Sequence, residues 1–218
     1  MRRSNTLKRE KRKEGESMAK KKKQILYPVF FMILITVIFV SALAVINEAT
    51  KEIIAKQEAL KVKENILYVF GLTHDPTPEA TEAAYDLYIE EKSVVDQQVF
   101  YASKDGTQLG YAFVISGPGL WGSMTGYAAV SNDLDAILGI SFVSHSETPG
   151  LGGRVDEDWF KDQFRGIAIS KDSDSAVFRP APEGNVDAIT GATLTSESVR
   201  VIINTDIIDF ITNYGGDL

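Results

Sequence analysis

Three stretches combine glycine, hydroxyl and acidic residues in patterns that could hold a ligand: Gly117 to Gly126 (GPGLWGSMTG), His145 to Gly153 (HSETPGLGG) and Asp187 to Ser196 (DAITGATLTS). Glycine lets a backbone come close to a bound group. Free N–H groups at the start of a helix favour an anion. Each stretch also has a plain structural reading. The glycines of the first could form a turn near a sheet edge, and they carry neither G-x-G-x-x-G nor G-K-[ST]. Trp121 could be buried packing or a platform for a flat ring. Thr195 or Ser196 could simply cap the helix that follows.

Several chemistries are excluded by composition. The chain has no cysteine, which removes thiolate metal sites, cysteine-ligated iron–sulfur clusters, disulfides and cysteine nucleophiles together. Its two histidines, His74 and His145, are far apart, and no serine sits in a nucleophile elbow. No catalytic residue and no metal ligand is therefore assigned. His74 lies alone in GLTHDPTP, a turn-rich segment with two prolines, and receives no role.

The elements that must position the three stretches are legible as an α+β pattern. From Val94 the period approaches two: QQVFYAS, the turn Lys104-Asp105-Gly106, then LGYAFVIS predict a β-hairpin. Tyr127 to Val130 and Ala136 to Ser144 add two strand-like runs, so an antiparallel sheet is expected. Helices are expected over Glu48 to Phe70, Glu79 to Glu90, Val155 to Phe164 and Ser196 to Tyr214. In the last, Val199, Ile202, Ile203, Ile207, Phe210 and Ile211 recur at helical spacing. The segments divide as 1–24, a basic tail; 25–46, a transmembrane helix; 47–92, a helical connector; and 93–218, the ligand-carrying domain.

Ile25 to Ile46 holds twenty-two residues without a charge. At ~1.5 Å of rise per residue it would span roughly 33 Å, enough to cross a hydrocarbon core of ~30 Å. Met1 to Lys23 carries eleven Lys or Arg against three Glu, while the remainder carries twelve basic against twenty-seven acidic residues. The positive-inside rule then places the tail in the cytoplasm and the domain outside, in a single-pass protein; a bacterial inner membrane is the expected location. The basic head is read as a topology signal, not as a nucleic-acid contact. Ala42-Leu43-Ala44 resembles a cleavage site, but a signal peptide's apolar region runs only ~7–15 residues, so a retained anchor is expected. Arg2-Arg3 is not continued as a twin-arginine signal, and Met18 offers a second start.

The combination of the three stretches outweighs their separate readings. Asp187-Ala188-Ile189-Thr190-Gly191-Ala192-Thr193 resembles the D-x-x-[ST]-G-A-[TS] flavinylation motif of the FMN-binding domain family. HSETPGLGG and GPGLWGSMTGY resemble that family's other blocks, over roughly residues 25 to 212. Within the family, the chain resembles the RnfG component of Rnf complexes, or the similar NqrC component of Na+-translocating NADH:quinone oxidoreductases. The compact spacing of the blocks favours the Rnf type, with electron flow between ferredoxin and NAD; GLWGSMTGY leans toward the quinone reductase.

The resemblance implies FMN held by a phosphoester to Thr193. A threonine hydroxyl is a poor nucleophile near neutral pH, and its segment supplies no obvious base. The resemblance accordingly implies a dedicated flavin transferase, with Asp187 positioning the segment and Gly191 and Ala192 keeping the approach open. Thr190 and Thr195 are the next candidates for attachment. Thr148, Gly150 and Leu151 form a turn able to approach the ring, with Leu151 against its face, Glu147 and Thr148 at its edge, and Trp121 as a second wall. His145 could tune the flavin or be satisfied within the sheet. The implied role is a redox-active relay subunit of an ion-translocating oxidoreductase whose partners are membrane, iron–sulfur and flavin subunits. Two other readings keep the fold and change the role: a membrane-anchored binding or assembly protein without flavin, and a stand-alone flavin reductase.

Overall fold

A computed structural model describes the backbone of residues 2–95 and 97–216 and the side chains from residue 26 onward. The side chains of the basic tail, 1–24, which carry the topology signal and the two candidate starts, lie outside the described residues. The chain divides into two units after Lys56. The first consists of the greater part of helix α1, Arg2–Val69. Its apolar window has a mean hydropathy of 3.0, and none of that window is buried. Phe30, Phe31, Met32, Ile33, Val37, Ile38 and Phe39 are all exposed. A core helix of a soluble domain would hide such side chains. This segment is a helix long and apolar enough to cross a membrane.

The second unit is α+β. Five antiparallel strands follow one another in the order of the chain: β1, Ile89–Val94; β2, Gln97–Lys104; β3, Thr107–Pro118; β4, Ser123–Ser131; β5, Ile137–Ser144. The β2–β3 hairpin closes on Asp105-Gly106, where φ is +52° and +78°. That pair of positive angles is what a two-residue turn needs to match strand twist, and Gly106 supplies it without strain. Strand β1 was not among the runs read as strands. Its sequence, IEEKSV, buries only Val94 at an edge where charged side chains face water, so it shows no apolar alternation.

Both faces of the sheet are covered. One carries Val99, Tyr101, Phe113, Ile115 and Met124 against α4, Thr193–Tyr214, whose Val199, Ile202, Ile203, Ile207, Phe210 and Ile211 are all buried. Phe113 and Phe210 stack with ring centroids 3.8 Å apart. The other face carries Phe100, Ala102, Ala112 and Ala129 against the last turns of α1 and against α2, Pro78–Tyr88. In the helix expected over Glu48 to Phe70, Ile66, Leu67 and Val69 are core, while Ile53 and Ile54 are exposed. Arg165 closes the C-terminal end of α1, donating to Tyr68 O, Val69 O and Leu138 O at 2.7, 3.3 and 2.7 Å. A cation there complements the carbonyl end of the helix, where Tyr68 O also accepts from Gly71 N at 2.9 Å.

Val155 to Phe164, expected as one helix, is instead a 3-10 turn, Gly152–Asp156, one turn of helix α3, Asp158–Lys161, and a second 3-10 turn, Asp162–Phe164. Phe160 and Phe164 are driven into the core from this segment. The path from Arg165 to Ala192 is irregular, pinned to β5 by an Ala136–Ala168 bridge and to itself by Phe178–Val186. It delivers the Asp187 segment to the start of α4.

Candidate functional site

Helix α4 begins at Thr193, three residues before the expected start, with Ala192 as its N-cap and no side-chain cap. Neither Thr195 nor Ser196 caps it. Both are buried in the first turn, where Ser196 Oγ accepts from Ile189 N at 3.0 Å and donates to Ala192 O at 3.1 Å. The early turn is closed by Ser196 N–H donating to Ala192 O at 3.0 Å, and the buried Ser196 hydroxyl ties it back to the preceding segment at Ile189 N. Thr193 is therefore the first helical residue, exposed, at the end where unpaired N–H groups gather. Thr190 and Gly191 are also exposed. Thr195 is 1% exposed and donates its hydroxyl to Glu147 Oε2 at 2.6 Å, so it cannot receive a bulky group while the fold is closed.

An open cleft of about 680 Å³ lies over this turn. Asp187, Thr190, Gly191 and Thr193 line it, together with three residues the sequence did not single out: Arg154, Trp159 and Arg179. The Arg154 guanidinium stacks over the Trp159 ring, 5.1 Å from its centroid, and pairs with Glu157 at 3.1 Å. The Trp159 indole N–H donates to Glu157, and that bond, with Arg154 beside it, holds the Glu157 carboxyl below the usual range against a weaker effect of burial. Arg179 pairs with Asp187 at 2.6 Å, and the Asp187 N–H donates to Gln163 Oε1 at 2.7 Å. Arg154 follows directly on HSETPGLGG and was within reach of a sequence argument. Trp159 and Arg179 arrive through irregular backbone that no periodicity announces.

The second stretch forms a turn in which Leu151 N and Gly153 N both donate to Thr148 O, and Gly150 has φ of +75°. Leu151 is partly exposed and lies against Gly191: a Cβ built there would stand 3.3 Å from Leu151 Cδ2. The second and third stretches thus meet at a small residue. Glu147 is turned inward rather than toward a ring edge. It is 5% exposed, and Oε1 accepts from Leu120 N at 2.8 Å and Trp121 N at 3.2 Å. His145 pairs with Asp156 through Nε2 at 3.0 Å, while Nδ1 accepts from Glu147 N at 3.2 Å. A ring nitrogen that accepts carries no proton, so Nε2–H is the donor to Asp156. Trp121 is not core: it stands 70% exposed at the tip of the β3–β4 hairpin.

The site suits a phosphate-bearing, flat, largely apolar group. Two guanidinium groups, each paired with a carboxylate, line the same cleft as the exposed Thr193 at its helix start, and Trp159 adds an aromatic side chain to that lining. Among the described residues, no group of three or more His, Cys, Asp or Glu side chains converges as a metal site would require.

Residues 119–207 match the FMN-binding domain family. Its sequence relatives include the NqrC component of the Na+-translocating NADH-quinone reductase of Vibrio anguillarum, 36% identical over 110 residues, which are 47% of this chain and 43% of that protein. The corresponding protein of Pseudomonas aeruginosa is 32% identical over 137 residues, 58% of this chain and 52% of that one. The chain spans about half the length of the curated relatives it matches. The crystal structure of the Parabacteroides distasonis NqrC shares the fold, with a TM-score of 0.64 and 24% identity over 74% of this chain and 94% of that one. The Shewanella oneidensis NqrC gives 0.62 at 19% identity, covering 72% and 95%. These relatives reverse the order expected from block spacing, which placed the Rnf type first. Spacing between blocks reports loop length, and loops vary more freely than the motifs they join.

Proposed function

We propose that this chain is the FMN-carrying electron-relay subunit of a membrane complex of the Na+-translocating NADH:quinone reductase type, with the flavin phosphate esterified to Thr193. The observation that carries the reading is the exposed Thr193 hydroxyl on the first residue of a 22-residue helix, within a cleft that also presents Arg154, Arg179 and Trp159. Arg154 and Arg179 would hold the phosphodiester charge, and Leu151 and Trp121 would lie beside the ring. When bound, FMN supplies the passage between two-electron and one-electron chemistry. The chain itself keeps the group in place, shields part of its surface and leaves the rest open to a partner.

Attachment is read as the work of a flavin transferase, because the Thr193 segment offers no base poised on that hydroxyl. Asp187 is held by Arg179 and is available at the cleft rim, where a transferase would engage it. The apolar N-terminal helix anchors the domain, with the basic tail on the cytoplasmic side and the domain outside. Quinone, NADH and the coupling ion are handled by neighbouring subunits. The test is the intact mass of the full chain coexpressed with a flavin transferase. A gain of one FMN per chain, with in-gel flavin fluorescence after denaturation, is expected. A folded, transferase-exposed chain of unmodified mass would instead mark it as a binding or assembly protein.

A further inference from the structure

Glu147 hydrogen-bonds both to the β3–β4 hairpin tip and to the first turn of α4. Three donors converge on it: Leu120 N and Trp121 N on Oε1, and the Thr195 hydroxyl on Oε2. Two glycines make room for the carboxylate. A Cβ on Gly119 would fall 2.6 Å from Oε1, and one on Gly152 would fall 2.6 Å from Oε2 and 2.5 Å from Thr195 Oγ1. The Trp121 ring is 70% exposed, so packing does not decide where the indole stands. Its place depends on the main chain of the tip, held by Gly119 N to Gly122 O at 2.7 Å and by the two bonds to Glu147. Thr195 lies two residues from Thr193 on the same turn. One buried carboxylate therefore connects the hairpin tip that carries Trp121 to the turn that carries Thr193.

We propose that Glu147 is a positioning residue that locks the hairpin tip onto the first turn of α4 and so fixes the Trp121 indole relative to a flavin tethered at Thr193. It acts through the two segments it joins and touches no cofactor atom. The proposal rests on the proposed function for both attachment at Thr193 and Trp121 beside the ring. Glu147→Gln keeps an oxygen for both backbone N–H groups and offers an amide N–H to Thr195 Oγ1, whose hydroxyl can rotate to accept it. Glu147→Ala removes all three bonds and releases the tip.

The experiment uses the full chain loaded by a transferase, with loading checked by mass, and compares flavin fluorescence with and without Trp121→Ala in three backgrounds. An indole beside a flavin quenches it, so Trp121→Ala should raise the fluorescence several-fold in the wild type. The rise should be largely lost in Glu147→Ala and restored in Glu147→Gln. An undiminished rise in Glu147→Ala overturns the proposal, as does the absence of any rise in the wild type. If Glu147→Ala does not fold, Thr195→Val cuts the link on the helix side alone and is judged by the same two results. A wild-type chain that gains no flavin mass overturns the attachment reading itself, which the fluorescence results do not address.

Discussion

Arg165→Met tests how the end of α1 is held to the sheet. The guanidinium donates to Tyr68 O and Leu138 O at 2.7 Å each, to Val69 O at 3.3 Å, and through Nε to Asp162 at 3.0 Å. The two short charge-assisted bonds contribute about 1.5 kcal/mol each, the low end for a charged donor at a partly exposed site, and the long one less. The Asp162 pair adds little, since that carboxylate is about half exposed. Water reaches the arginine, which is 29% exposed, and will satisfy part of what is lost. A net cost of about 2 kcal/mol follows, or a fall in Tm of roughly 4–8 °C for a unit of this size. Thermal unfolding of the full chain in detergent micelles, followed by near-ultraviolet circular dichroism, measures it. Arg165→Lys should fall between, because one ammonium cannot reach three carbonyls arranged for a planar fork. A Met variant melting within about 1 °C of the wild type would refute the argument.

Gly152→Ala would drive a methyl to 2.6 Å from Glu147 Oε2, and should cost about 1–3 kcal/mol in the same melt. The phenol of Tyr68 is pushed from its ordinary 10.0 up to about 12 by burial first and by its bond to Asp162 second. The folded state thus favours the protonated phenol: its contribution is full below pH ~10 and lost as pH rises toward 12, so Tyr68→Phe should flatten stability against pH in that window alone. Burial alone would raise the Asp162 carboxyl, but hydrogen bonds from Tyr68 and Arg165 and the arginine's charge outweigh it and lower it. Its contribution is present above the usual carboxylate range and lost on acidification, and Asp162→Asn should remove that acid-side loss. Asp187→Ala should change stability by less than about 0.5 kcal/mol, because both members of its ion pair are more than half exposed. It should nonetheless reduce flavin loading by a transferase; unchanged loading would remove Asp187 from the attachment step.

The parts of the fold legible in the sequence are those with unbroken periodicity. Six apolar residues of α4 were read from their spacing, and all six are buried. The Asp105-Gly106 turn set the hairpin, since its residue types carry the backbone angles required. Strand β1 escaped because an edge strand with charged side chains has no apolar signal. The residues after Gly153 escaped because 3-10 turns and a single helical turn mimic one helix in composition. Within the site, Thr193 was marked by its motif, whereas Arg179 reaches the cleft only through tertiary structure. Glu147 was expected at a ring edge; three protein donors already occupy its oxygens, a fact no spacing of residues discloses.

Peptide mapping of the flavin tests the central claim most directly. The full chain and its Thr193→Val, Thr190→Val and Thr195→Val variants would each be coexpressed with a flavin transferase, digested, and analysed by mass. Valine replaces the hydroxyl by a methyl of similar size at an exposed position, so the Thr193 variant should fold as the wild type does. The account predicts one FMN per chain on the peptide containing Thr193, lost only in Thr193→Val. FMN retained in that variant, or mapped to Thr190 or another residue, would contradict it.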